Sequence, residues 1–258
     1  MKVRIFSKKN YPELSKIYKN FEVVQNGEDV TFVVGGDGTL LKILKIVSSP
    51  ILTIKGKEVD SLGFKAQFNI NEIDEAIKLV KSKNFKIERF HLIEGDTKNK
   101  KFFGGNEIGI VASTEREIHF EVYYKKQNEE KFKKLYPYVL CGEGIIFVSR
   151  LGSAAWNRKV GGPLLLEEGI VVQPLACDLG FPFVATKEYE FFVKVIKGKP
   201  KIVSDGEKIV DSNFLRVKLS ERYANLIKRG ENIYNLLNLL KFYIVYKPGW
   251  QNQVMRRS

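Results

Sequence analysis

The stretch that decides the fold runs Thr31-Phe32-Val33-Val34-Gly35-Gly36-Asp37-Gly38-Thr39-Leu40-Leu41-Lys42-Ile43-Leu44-Lys45-Ile46-Val47. Its first part, with Val30, is almost continuously apolar, the pattern of a strand buried on both faces of a parallel sheet. Its last part carries Leu40, Leu41, Leu44 and Val47 at helical spacing. Between them Gly35, Gly36 and Gly38 surround Asp37. Glycines permit positive φ and let backbone N–H groups approach an anion with no Cβ in the way. A helix that starts there adds the positive end of its dipole. The carboxyl end of a strand in an open α/β sheet is where such folds bind ligands. The loop is neither a Walker A sequence nor the GxGxxG dinucleotide fingerprint.

A carboxylate among phosphate-binding glycines repels phosphate, so Asp37 requires a reason. Either it holds Mg²⁺ or it accepts the proton of a hydroxyl attacking phosphorus. The alternative is that it caps the helix that follows. Lys42, one turn into that helix, reaches a phosphate or is simply solvated.

Outward from this loop, residues 3–6, 21–25 and 51–54 read as strands and 13–19 as a short helix. Ile73, Ile77 and Val80 put one apolar face on a helix over 71–83, with Asn69 or Asn71 as its N-cap. Strands alternating with helices predict a parallel sheet. From about Phe85 the pattern changes. Residues 86–92, 107–112, 118–124, 144–149, 169–172, 190–195 and 215–219 are short β-rich runs between polar or Gly-containing turns. Helical spacing returns only over 232–242, in Ile233, Leu236, Leu237 and Leu240. The fold class is therefore α/β plus all-β. An N-terminal α/β domain covers 1–92 and a β domain 93–231, with a C-terminal helix over about 232–258 that packs back on the first.

Composition narrows the function. The 258 residues carry 43 Lys and Arg against 30 Asp and Glu, a net charge of +13. That excess suits phosphate-bearing substrates, but the basic residues are scattered and form no nucleic-acid module, so no nucleic-acid partner is expected. No apolar run approaches the roughly 18 residues that span a bilayer, so no membrane partner is expected either. The N-terminal residues lack a secretory apolar core, and the two cysteines, Cys141 and Cys177, are too few for a disulfide framework. A cytoplasmic protein is the default. Cys177, His91 and His119 read as structural residues, without metal spacing.

These motifs, taken in order, resemble the NAD kinase family. Gly35-Gly36-Asp37-Gly38-Thr39 is similar to its GGDGT loop, Leu62-Gly63-Phe64 to its LGF segment and Asn106-Glu107 to its Asn-Glu pair. Glu143-Gly144, Gly152-Ser153-Ala154-Ala155-Trp156 and Gly161-Gly162-Pro163 follow its DG, GSTAY and GGP segments, and Asp205-Gly206 resembles a late Asp-Gly turn. The resemblance spans roughly residues 30–210. It implies an N-terminal Rossmann-like α/β domain and a central β-sandwich domain, the NAD kinase/diacylglycerol kinase-like arrangement. It also implies transfer of a γ-phosphoryl group from ATP or polyphosphate, with Mg²⁺, to the 2′-hydroxyl of the adenosine ribose of NAD. GGDGT alone is shared with diacylglycerol and sphingosine kinases, so a lipid kinase is one competing reading and a non-catalytic NAD(P) sensor another.

Carried over by the resemblance, Asp37 is the general base or organises Mg²⁺, and ATP phosphates lie over residues 35–39, with Gly36 and Gly38 presenting backbone. Lys42 and Asp205 join the NAD-binding set. Asn106 and Glu107 bind the adenine and ribose side, and Ala155 and Trp156 line the adenine pocket. The departures cluster in the dinucleotide segments. Glu143 replaces an Asp, Ala154 a Thr, Lys159 a Ser, Cys141 an Arg and Trp156 a Tyr, while Arg150-Leu151-Gly152 replaces TPTG. Each lost neutral hydrogen bond costs about 1 kcal/mol, which Lys159 and Arg150 would offset by gripping the pyrophosphate. The resemblance further implies a homo-oligomer, a dimer or tetramer.

Overall fold

The computed structural model describes residues 1–57 and 66–229; Leu62-Gly63-Phe64 and the helix expected over 232–258 lie outside the described residues. The first half holds strands β1 (Lys2–Ser7), β2 (Glu22–Val23), β3 (Val30–Val34), β4 (Ile51–Lys55) and β5 (Phe68–Asn69). Helices α1 (Ser15–Asn20) and α2 (Asp37–Ile43) lie between them, and α3 (Ile73–Ser82) follows the last. The five strands pair in parallel throughout, as the strand–helix alternation predicts. Asn69, not Asn71, opens the turn that leads into α3, with Glu72 closing a capping box on it.

Alternate residues of β3 point to opposite faces. Val30, Phe32 and Val34 pack with Ile17 of α1 and Ile73, Ile77 and Val80 of α3. Val33 packs on the other face with Leu40, Leu41 and Leu44. Among the described residues, the helix that follows the glycine loop is the one packed on that face, turned toward the rest of the molecule.

The second half is β-rich: β6 (Lys86–Thr97), β7 (Lys100–Gly104), β8 (Glu107–Ala112), β9 (Ile118–Lys126), β10 (Lys133–Lys134), β11 (Leu140–Gly142), β12 (Gly144–Ser149), β13 (Ile170–Leu175), β14 (Phe183–Ala185), β15 (Tyr189–Lys197), β16 (Pro200–Ser204), β17 (Glu207–Val210) and β18 (Phe214–Lys228). Among the described residues one short helix, α4 (Trp156–Lys159), interrupts it. A six-stranded sheet runs β14-β13-β12-β8-β16-β17. Its inner residues Ile108, Ile145, Phe147 and Val172 share a core with Phe120, Phe191, Val193 and Val217 of the larger sheet.

That larger sheet is continuous across both halves. β18 pairs antiparallel with β15 and β6 and, at Leu226, parallel with Ile51 of β4. The boundary expected between residues 92 and 93 falls inside β6. Among the described residues no helix is long and apolar enough to cross a membrane.

Candidate active site

The glycine loop leaves β3 with Gly35 at φ +153°, where a Cβ would sit 2.7 Å from Thr39 Oγ1. Gly35 N–H donates to Ile54 O and Thr39 N–H to Gly36 O, both at 2.9 Å. Gly36 is the N-cap of α2 and Asp37 its first helical residue. Asp37 is thus half-buried at the start of the helix without being its cap residue.

Three segments of the β-rich half converge on α2. Gly105 lies against Leu41 and Leu44, leaving no room for a Cβ. Ala154 and Leu151 join the cluster formed by Leu40, Leu41 and Leu44. Lys45, just past the helix, places its ammonium 2.8 Å from Asp205 Oδ2. Asp205 and Gly206, at φ +51° and +78°, form the turn between β16 and β17, whose paired flanks are Ser204 and Glu207.

Asp205 holds the loop that carries Asn106 and Glu107. Its side chain, 3% exposed, accepts Asn106 N–H at 2.7 Å and Gly105 N–H at 3.0 Å. From the other side, Ser149 N–H donates to Asn106 O at 2.9 Å and Ser149 Oγ to Gly105 O at 2.6 Å. Gly152 N–H donates to Ser149 Oγ, and Gly152 lies flush on the Asn106 backbone. Asn106 and Glu107 are both buried. Past Gly152, Ser153 Oγ ties Arg150 O to Leu165 N–H, and the Asn157 amide donates to Ser153 O and Pro163 O. Lys45, Ser149 and Asn157 were not singled out from sequence. Serines and a lysine at element ends carry no signal until the chain is folded around them.

Other candidates sit differently from expectation. Lys42 is exposed and paired with Glu207 at 2.8 Å, a contact that holds the Glu207 carboxyl below its usual range. Arg150 was expected to help grip a pyrophosphate. Instead it is buried between Glu88 and Glu168 and stacks on Phe90, because a guanidinium taken out of water needs carboxylate partners. Burial raises the Glu168 carboxyl despite that pairing. Trp156 packs on the outer apolar cluster of the six-stranded sheet and lines a cavity of about 380 Å³ with Glu143, Val111, Leu175 and Gly206. Ala155 is the N-cap of α4, and Lys159 is exposed at its end. Cys141 lies on β11, its thiol 3.3 Å from Glu117 Oε2, a contact that raises its pKa. His91 Nδ1 lies 2.8 Å from Ser220 O, a structural partner.

No family model matches the chain. Among curated proteins, it is 29% identical over 260 residues to the NAD kinase of Sulfurisphaera tokodaii, covering 94% of this chain and 98% of that one. To the NAD kinase of Wolinella succinogenes it is 27% identical, over 83% of this chain and 76% of the relative. Its fold is similar to a crystal structure of an NAD kinase from Archaeoglobus fulgidus in complex with ATP. The TM-score is 0.75 at 20% identity, over 92% of this chain and 98% of the other. Yeast NADH kinase complexed with NADH gives a TM-score of 0.74 at 16% identity, over 92% of this chain and 87% of that one. The mixed α/β and β-rich architecture is the one those structures have, and over more than nine-tenths of its length the chain is similar in sequence and fold to NAD kinases.

Proposed function

We propose that this protein is an NAD kinase, which transfers the γ-phosphoryl group of ATP to the 2′-hydroxyl of the adenosine ribose of NAD and yields NADP. The observation that carries the reading is the convergence on α2. The helix that begins at Asp37 is packed directly against the loop of Asn106 and Glu107 and the segment of Gly152 to Ala154.

In this reading Asp37 accepts the proton of the ribose hydroxyl, and the amides of Gly36 and Gly38 face the donor phosphates. Asn106 and Glu107 bind the adenine and ribose side, and Ala154, Ala155 and Trp156 line the adenine pocket. Phosphoryl transfer depends chiefly on alignment and charge neutralisation, and the buried scaffold behind Asn106 supplies the alignment. Lys42 joins the substrate by leaving Glu207, an exposed pair that a phosphate group readily replaces. Mg²⁺ would spread the charge of the phosphates. It is commonly held by one or two carboxylates, substrate phosphates and water, so a single carboxylate at Asp37 fits it.

Residues 1–92 are assigned as a Rossmann-like phosphate-loop unit and 93–231 as a β-sandwich NAD-binding unit, sharing β6 and β18. A cytoplasmic homo-oligomer is part of the same proposal. It is supported by Leu179, Phe181 and Val184, which are more than half exposed or close to it beside the edge strand β14. Purified protein incubated with NAD, Mg²⁺ and either ATP or polyphosphate, with NADP read by coupled reduction, tests the function. NADP formation is expected. Phosphorylation of diacylglycerol or a sphingoid base instead of NAD, or NAD binding without turnover, would overturn it.

A further inference from the structure

We propose that Lys45 and Asp205 form a strap that sets the distance between the phosphate loop and the NAD-binding loop, and that both are positioning residues for the transfer. The kinetic part rests on the NAD kinase reading above. Asp205 is the meeting point. Oδ1 takes Asn106 N–H at 2.7 Å, while Oδ2 takes Gly105 N–H at 3.0 Å and the Lys45 ammonium at 2.8 Å. The carboxylate is 3% exposed and Lys45 21%, so the contacts are largely shielded from solvent. Charge-assisted bonds of this kind are shorter and stronger than neutral ones.

The geometry makes the strap specific. Lys45 belongs to the segment that Asp37 begins, and Asn106 to the loop that presents the second substrate. Without the ammonium, the Asp205 carboxylate would be buried with backbone donors alone. Without the carboxylate, two buried N–H groups lose their acceptor and the lysine loses its counter-charge. Either loss lets the Asn106 loop drift from α2, and a misplacement of about 1 Å between reacting groups is enough to cost 10²-fold. Neither residue needs to touch substrate for this.

The test uses Lys45→Met, Lys45→Arg, Asp205→Asn and the double variant Lys45→Met/Asp205→Asn in the full-length protein. Lys45→Met and Asp205→Asn are each expected to lower kcat/KM for NAD about 10- to 100-fold, while the double variant falls no more than about twofold below the worse single one. Lys45→Arg, which restores the cation, returns to within about threefold of the native enzyme. Hydrogen exchange of the peptide over 102–108 is expected to speed at least about tenfold in both single variants. Multiplicative losses in the double variant, an arginine as damaging as methionine, or unchanged exchange over 102–108 would overturn the proposal. Exchange does not depend on turnover. A native protein that never phosphorylates NAD therefore defeats the kinase reading, while the exchange result still decides the strap. If Asp205→Asn fails to fold, the contrast between methionine and arginine at position 45 decides it.

Discussion

Replacing Gly152 by alanine perturbs the proposed site at a tight contact with the Asn106 backbone. A Cβ there would sit 2.5 Å from both Cα and the carbonyl carbon of Asn106, and closer still to its oxygen. The obstacle is backbone, not the end of a flexible side chain, and that backbone is pinned by Ser149 N–H at 2.9 Å and by Asp205. Overpacking a well-filled site costs typically 1–3 kcal/mol, and relief here requires giving up at least one hydrogen bond of about 1 kcal/mol, so the sum is about 2–4 kcal/mol. For a chain of this size that corresponds to roughly 4–16 °C in melting temperature. Because the displaced group is Asn106 itself, KM for NAD should rise along with the loss of stability. Thermal denaturation followed by circular dichroism, with NAD phosphorylation at saturating ATP, reads both. Gly38→Ala is the comparison for stability, since a Cβ at Gly38 meets nothing within 4 Å and that variant should melt at or above the native temperature. A Gly152→Ala protein that melts within about 3 °C of native with unchanged KM would refute the reasoning.

Asp37→Asn should fold and melt normally yet turn over at least about 100-fold more slowly, since a positioned base contributes roughly 10²–10⁴; near-normal kcat would remove Asp37 from the chemistry. Acid sensitivity should be traceable to Glu72. The Arg229 guanidinium, helped by the Asn69 amide, holds its carboxyl below the ordinary 4.5. A depressed folded value contributes stability above the unfolded pKa, lost as pH falls through the folded one. The stability difference between native protein and Glu72→Gln should therefore be constant above about pH 5 and shrink on further acidification. Denaturant melts that stay parallel down to pH 3 would contradict this. Burial pushes the Cys177 thiol up to about 11, so iodoacetamide at pH 7.5 should label it at least about 100-fold more slowly in the native protein than in urea. Rapid native labelling would show the site to be open.

The boundaries of the fold were legible where one interaction dominates. Residues 107–112 and 144–149, read as strands from composition, are β8 and β12 to the residue, because these central strands are buried almost throughout and apolar over most of their length. The run read as 215–219 is a strand of fifteen residues, and its second half was missed. Ser220-Glu221-Arg222-Tyr223 carries no strand alternation because a register shift between Leu219 and Tyr223 turns the chain there. The short strands β7, β16 and β17 were missed as well; they owe their pairing to neighbours far away in sequence.

At the candidate site, the split was similar. The glycine loop, its aspartate and the Asp205-Gly206 turn are local chemistry: positive φ, a helix start and a tight hairpin are demanded by the residues themselves. Which partner each charged group takes is a property of the packed molecule. Sequence leaves Lys42 open between a phosphate and solvent, and the resemblance places Arg150 and Asp205 near the nucleotide. The fold gives Arg150 the partners Glu88 and Glu168, Lys42 the partner Glu207, and Asp205 two amides and Lys45. The chain by itself determined the alternation of elements and the loop where an anion would rest, since these depend on a few adjacent residues. Only the tertiary structure decided what stands behind Asn106 and how far it lies from α2, because burying a charge obliges it to find a counter-charge from a distant part of the chain.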